Sequence, residues 1–256
     1  MILAAEETTL NNGEDREIGD VEMSFLDHIE ELRWRIIYSL IGIVVFSIAA
    51  WIFINPIVEI ILLKPARDAK VPLQNLKPFG QLFLYFQVAI TIGIICSLPN
   101  IFYQLWKFIS PALKKREQKY ILWIVFFSTF CFLLGIAFAF FIMLPMTMSF
   151  GAQFGTTEIS NVWTIDEYMS IIISVMLAAG VVFELPMISF FLSKLGILTP
   201  KFMRKYRRHA IVIIMILSAF LTPGADPVSQ VILAVPLVLL YEISIFISKI
   251  SSKKSA

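Results

Sequence analysis

The sequence predicts an all-α membrane protein with six transmembrane helices in a concave bundle and both termini on the cytoplasmic or stromal side. Three observations predict this fold class. Hydrophobic residues make up 58% of the 256 residues, more than a soluble domain carries, and they come in long blocks. The blocks approach the roughly 20 residues that a helix needs to cross a bilayer, and they are too long for barrel strands. Lysine and arginine are also distributed unequally between alternate loops.

Six apolar blocks define the expected spans, at 36–54, 79–98, 120–144, 168–192, 210–222 and 228–248. We expect the second and third spans to end at Pro99 and Pro145, and Pro186 to break the fourth, because proline removes a backbone donor. The fifth block, AIVIIMILSAFLT, would extend only about 20 Å, less than the ~30 Å of the hydrocarbon core. We therefore expect a bilayer thinned beside it and an open, concave arrangement of helices.

Basic residues set the orientation of the spans. The N-terminal segment, the loops at 104–119 and 193–209, and the C-terminal segment hold 17 of the 21 lysines and arginines. The loops at 55–78, 145–167 and 223–227 hold the other 4. Positive loops stay on the cytoplasmic side, so the first set defines the basic side of the protein and the second set its outer side.

The domain organisation follows from these blocks. Residues 1–22 are polar and acidic, which predicts a flexible tail. Residues 23–250 form the six-helix domain, and residues 251–256 form a short basic tail. Cys96 and Cys131 lie in different apolar blocks and are expected to be small core residues.

The segment DHIEELRWR places dense charge directly before the first span. Its apolar residues recur at helical spacing, so we expect a helix that begins near Ser24 and lies on the membrane surface. Glu31 allows two interpretations. It can form a local pair with Arg35, as Glu30 can with Arg33. Alternatively, it can converge with Glu117, the one acid in the basic loop SPALKKRE, on a cationic ligand such as a guanidinium.

Two further acids stand out. Glu184 lies within the fourth span, where a charge is costly and usually faces the bundle interior or water. We expect it to face a concavity that water can reach. Asp226, in LTPGADPVSQ, is positioned to cap the sixth helix.

At these motifs the sequence resembles a known family. HIEELRWRI is similar to the H-x-x-E-L-R-x-R signature of the TatC family, the multispanning receptors of the twin-arginine protein translocase. FYQLWKFISPALKKRE resembles that family's first cytoplasmic loop, and FELP and LTPGADPVSQ also match. The resemblance covers residues 23–250 in order.

The resemblance implies a signal-peptide receptor and core subunit that exports folded proteins across an energy-coupled membrane. Glu31 and Glu117 would bind the paired arginines of a signal peptide, with Arg33, Leu105 and Phe108 in or beside the site. It also implies functional positions in the membrane and on the outer side, namely Glu184, Asp226, Gln230 and Pro65. Phe140 stands where many members have tyrosine, so any hydroxyl-dependent role is absent there.

The resemblance further implies partners and a location. The partners are single-span TatA/TatB-type subunits, twin-arginine signal peptides and other copies of the chain, within the lipid bilayer. The location is a bacterial cytoplasmic membrane, or a thylakoid membrane if the protein is plastid-encoded or plastid-targeted. Neither a cofactor nor a metal nor a nucleic acid is expected, since the corresponding motifs are missing.

A secondary transporter that uses Glu184 as its proton or ion site is the main alternative. Such transporters often consist of paired repeats with broken helices, and the sequence has no second half that mirrors the first. An enzyme is not expected, since the sequence has neither a nucleophile motif nor a dinucleotide fingerprint.

Overall fold

The structure is a computed structural model that describes residues 25–110, 118, 121–153, 162–194, 196–221 and 227–253. The chain within these ranges is almost entirely helical, apart from two strands of two residues each, Leu73–Gln74 and Trp163–Thr164. The expected acidic tail at 1–22 lies outside the described residues, and the division into a helical domain and two tails remains a prediction.

Six helical spans follow the six apolar blocks in order. Their bounds are Phe25–Ile52 for the first span, Gly80–Ile109 for the second, Ile121–Phe138 with the π-helical turn Ala139–Met143 and Leu144–Gln153 for the third, Ile165–Val182 and Leu185–Lys194 for the fourth, Arg207–Leu221 for the fifth, and Pro227–Lys253 for the sixth. Within the described residues, five of these are long and apolar enough to cross a membrane. The fifth has 15 residues, or about 22 Å, so the predicted short helix is confirmed.

The first span corrects one expectation. Phe25–Ile52 is a single unbroken helix of 28 residues, so a separate surface helix before the first span was a wrong prediction. The charged segment around Glu31 is instead the basic-side end of the span itself. Helical hydrogen bonding continues from the charged turns into the apolar ones, because neither proline nor glycine lies between Phe25 and Ile41.

Two predicted helix ends were also wrong. The second span continues ten residues past Pro99, and the third continues past Pro145 to Gln153. Proline removes one donor and bends a helix, but packing against neighbouring helices can hold both sides of the bend. The predicted break in the fourth span is confirmed, at Phe183 and Glu184.

The spans form an open array in space. The first packs chiefly against the second, the second against the third, and the third against Ile165–Val182 of the fourth. The other half of the fourth span, Leu185–Lys194, packs against the sixth span. The fifth span packs against the sixth as well. The first and fifth spans therefore lie at opposite ends of the array, as expected for an open bundle. The break at Glu184 divides the fourth span between two neighbours.

Small residues allow neighbouring spans to approach closely. A Cβ added to Gly93 would lie 2.8 Å from the Ser47 amide nitrogen, and one added to Gly135 would lie 2.6 Å from the Ala179 carbonyl oxygen. Such contacts are typical of membrane helices, whose association depends on close packing. Of the two cysteines, Cys131 is partly buried but Cys96 is exposed, so its prediction as a core residue was wrong.

The outer side carries a folded cap. The first span leads through a π-helical segment, Ile57–Leu62, to the short helix Lys64–Asp68. Strand Leu73–Gln74 then pairs in parallel with Trp163–Thr164. The Tyr168 hydroxyl donates to the Leu62 carbonyl oxygen at 2.7 Å and accepts from the Ala66 amide at 3.1 Å. One side chain of the fourth span thus fastens a segment about 100 residues earlier in the chain.

Candidate functional site

A polar cluster joins the first and second spans at their basic end. The Arg35 guanidinium contacts Glu31 Oε1 through Nη2 at 2.7 Å and through Nε at 3.2 Å. Its Nη1 donates to Gln104 Oε1 on the second span at 3.2 Å. The local pair of Glu31 with Arg35 is therefore confirmed. The expected pair of Glu30 with Arg33 is absent, although both residues lie in the described part of the chain.

Glu31 uses only half of its carboxylate in this cluster. Its side chain is 19% exposed. The second oxygen, Oε2, is covered and has no hydrogen-bond partner among the described residues. A carboxylate oxygen in this condition has lost its water without gaining a donor, which costs free energy. This oxygen therefore retains the capacity to accept one hydrogen bond.

The second span contributes two links that the sequence did not reveal. Asn100 Nδ2 donates to the Tyr38 carbonyl oxygen at 3.1 Å, and the His28 ring stacks on Phe108 with 4.3 Å between ring centroids. Asn100, Gln104 and Phe108 follow each other at intervals of four residues, so they share one face of the helix. That spacing was the available signal, but nothing in the sequence showed that this face meets the first span.

The residues expected beside the arginine site lie in different environments. Leu105 is 46% exposed on the turn that also carries Gln104. Phe108 is partly covered by His28, and Arg33 is exposed on the first span. Glu117 lies outside the described residues, so its approach to Glu31 remains a prediction.

Glu184 lies at the break in the fourth span. It is only 7% exposed, so protein and not lipid surrounds it, and it is more enclosed than we expected. The polar side chains nearest to its carboxyl group include Ser128 and Cys131 on the third span. Oε1 of Glu184 nevertheless has no hydrogen bond of standard geometry within the described ranges.

The remaining predicted positions are spread across the molecule. Gln230 Nε2 donates to the Met215 carbonyl oxygen at 3.0 Å and so joins the sixth span to the fifth. The sixth helix begins at Pro227, while Asp226 itself lies outside the described residues. Pro65 is buried at the start of the short outer helix. Phe140 packs edge-on against Phe141 within the π-helical turn.

Fold and site together define a multispanning helical membrane protein. Its polar groups include a cluster at the basic end of the first two spans and a glutamate at the break in the fourth. Comparison with known proteins agrees. The family description "Sec-independent protein translocase protein (TatC)" matches residues 27–236.

Individual relatives extend the match to nearly the whole chain. TatC of Carboxydothermus hydrogenoformans is 38% identical, over 92% of this chain and 96% of its own length. TatCy of Bacillus subtilis is 36% identical, over 91% of this chain and 92% of its own length. A crystal structure described as the twin arginine translocase receptor TatC matches with a TM-score of 0.76 and 35% identity, over 88% of this chain and 99% of that chain.

The chain belongs to the TatC family. It is a membrane component of the Sec-independent protein translocase, which works with other Tat subunits, and it serves protein transport rather than catalysis. The alternative of a secondary transporter built around Glu184 is not favoured.

Proposed function

We propose that the chain is the signal-peptide receptor and core subunit of a twin-arginine translocase, and that Glu31 holds an arginine of the signal peptide. One observation carries the proposal: Glu31 Oε2 is covered and has no partner among the described residues. A guanidinium offers five donors in a planar fork, which suits a carboxylate oxygen that lacks one.

The existing partner of Glu31 supports the same chemistry. Arg35 already places a guanidinium on Oε1 at 2.7 Å, which orients the carboxylate. Gln104 holds the far side of that guanidinium. The Glu31 side chain is therefore held in one orientation. An incoming arginine would meet Oε2 as a pre-organised acceptor.

Apolar groups beside Glu31 suit the remainder of a signal peptide. Leu105 exposes 46% of its surface, and the stacked rings of His28 and Phe108 form a flat face nearby. Resemblance to the family adds Glu117 as a second carboxylate for the second arginine, with Arg33 at the edge of the site.

The proposal predicts a large effect of Glu31→Ala on peptide binding. Loss of a partly desolvated charge pair should cost about 2 to 5 kcal/mol, roughly thirtyfold or more in affinity. Binding is measured by crosslinking a labelled twin-arginine peptide to the purified protein in detergent or nanodiscs. Glu117→Ala should behave alike.

Glu30→Ala is the matched control, since Glu30 is an exposed neighbour of Glu31 on the same helix and its removal changes net charge equally. It should bind the peptide within about threefold of wild type. If Glu31→Ala also stays within that limit while remaining folded, Glu31 serves only Arg35 and the proposed site is wrong.

We also propose that single-span TatA/TatB-type subunits dock along the fifth and sixth spans, within an assembly that contains further copies of this chain. Support comes from Gln230, a polar side chain at the junction of those spans, where an amide could also bond a partner helix. Crosslinkers along these spans should capture the partners, and capture only along the first span would contradict the assignment.

The same proposal covers location and the remaining polar positions. The basic side faces the cytoplasm of a bacterial inner membrane, or the stroma of a thylakoid, in accord with the positive-inside rule. Glu184, Asp226 and Pro65 are proposed as functional positions by family resemblance. Glu184 additionally has a covered carboxylate oxygen with no hydrogen-bond partner in the described part of the chain. Such a group is costly within a membrane span, and ionisable residues there often mark functional sites.

A further inference from the structure

A half-open cleft lies on the basic side, where three helical segments meet. These are the short helix Pro200–Lys205, the first turn of the fifth span and the last turns of the sixth. The cleft has a volume of about 480 Å³ and is lined by Arg204, Arg207, Glu242, Ile245, Phe246 and Lys249. It lies at the fifth-span end of the array, whereas the proposed peptide site lies at the first-span end.

Positive charge exceeds negative charge in the cleft. Three of its lining side chains are cationic, and one, Glu242, is a carboxylate. Glu242 Oε1 lies 2.6 Å from Arg207 Nε. This ion pair places the Arg207 guanidinium against Glu242 through Nε, and the two Nη groups can serve a second acceptor. Arg204 is exposed beside it, so the two guanidinium groups carry more positive charge than the Glu242 carboxylate neutralises.

The other wall of the cleft is apolar and faces lipid. Ile245 is buried, whereas Phe246 is 64% exposed. Both belong to Gln230–Ile250, the apolar part of the sixth span that is long enough to cross a membrane. Arg207 is the first residue of the fifth span. Cations and lipid-facing apolar groups therefore meet at the depth where the spans leave the hydrocarbon, which is the depth of the headgroups.

We propose that this cleft binds the phosphate of an anionic phospholipid from the basic-side leaflet, through Arg204, Arg207 and Lys249, while Phe246 packs against an acyl chain. Guanidinium groups bind phosphate oxygens in pairs, and basic pockets between spans suit anionic headgroups. A free phosphate would share the cationic contacts but would leave the apolar wall unused. Glu242 acts by holding Arg207 in place.

Native mass spectrometry of the full-length protein in detergent tests the proposal directly. Dimyristoyl phosphatidylglycerol should bind at least about tenfold more tightly than dimyristoyl phosphatidylcholine. Both lipids carry the same phosphate, but the choline ammonium of phosphatidylcholine brings a cation towards Arg204 and Arg207 and so opposes binding. The variant R204Q/R207Q/K249Q should lose this preference. The single variant Arg204→Gln keeps the pair between Arg207 and Glu242, so it tests the site without disturbing the junction, and its phosphatidylglycerol affinity should fall about tenfold.

K201Q/K205Q/R208Q is the charge-matched control, since it removes three exposed cations from the same segment but none from the cleft lining. It should bind phosphatidylglycerol within about threefold of wild type. In detergent no charged bilayer surface is present, and cations outside the cleft are screened from the bound headgroup by solvent and salt. The proposal is wrong if both triple variants lose the same affinity for phosphatidylglycerol, or if Arg204→Gln binds it as tightly as wild type. Either result would show that binding depends on the basic surface in general and not on the cleft. Inorganic phosphate at 10 mM is also tested as a competitor. If it displaces phosphatidylglycerol from about one site per chain as effectively as added lipid does, the cleft is a free-anion site and the lipid assignment is wrong.

Discussion

Two polar groups, the buried Tyr168 at the outer end and the partly buried Glu31 at the basic end, form their possible hydrogen bonds to different degrees. The Tyr168 hydroxyl both donates and accepts, and its two partners come from the outer segment before the second span. The Glu31 carboxylate employs Oε1 in two contacts and leaves Oε2 covered without a partner in the described part of the chain. A polar group whose bonding capacity is filled stabilises the fold, whereas one that keeps an unused acceptor is suited to a ligand.

The ion pairs at the two ends differ in how far they are exposed to solvent. Lys77 and Asp166 join the outer cap at 2.9 Å, with the lysine side chain 70% exposed. Arg35 and Glu31 are 18% and 19% exposed, so their pair is much less hydrated and its charges are less screened. The difference teaches that burial and incomplete bonding, taken together, distinguish the candidate recognition site from a structural clamp.

The largest expected effect on stability is that of Tyr168→Phe. The substitution leaves the buried Leu62 carbonyl oxygen and Ala66 amide without the hydroxyl that now bonds both. We expect a loss of about 2 to 4 kcal/mol in the free energy of unfolding, measured by denaturant titration of the purified protein in detergent. Affinity for a twin-arginine peptide should change by less than about threefold, since the basic end is intact.

Lys77→Ala is the comparison variant at the same end, and its expected effect is the smallest. It breaks an ion pair that joins the same two segments, but an exposed pair contributes only about 0 to 1 kcal/mol. If Tyr168→Phe costs no more than Lys77→Ala, the hydroxyl clamp contributes little, and the contrast between the two ends is lost.

The sequence predicted the number, order and approximate extent of the spans because long apolar runs are a local signal. It failed at Pro99 and Pro145, where the helices continue. Whether a proline ends or bends a helix depends on what packs on both sides of it, and that information is not local. It succeeded at the fourth span, where the acidic residue Glu184 precedes Pro186 and the two signals coincide.

In the candidate site, too, the contact between neighbours on one helix was predictable from the sequence, whereas the contact between helices was not. The pair of Glu31 with Arg35 was expected because residues four apart on a helix are neighbours. The contact of Arg35 with Gln104 spans 69 positions, and no pattern within either helix indicates that these faces meet. The Tyr168 clamp spans more than 100 positions and gave no signal for the same reason.

The central claim, that Glu31 holds an arginine of the signal peptide, is tested most directly by a double-mutant cycle. Wild type and Glu31→Ala are each titrated with a twin-arginine peptide and with peptides in which one arginine is replaced by lysine. Lysine cannot reproduce the planar two-bond contact, so the account predicts a coupling free energy of at least about 1.5 kcal/mol between Glu31 and one arginine. Effects that add to within about 0.5 kcal/mol for both arginines would show that Glu31 does not contact the pair, and would contradict the account.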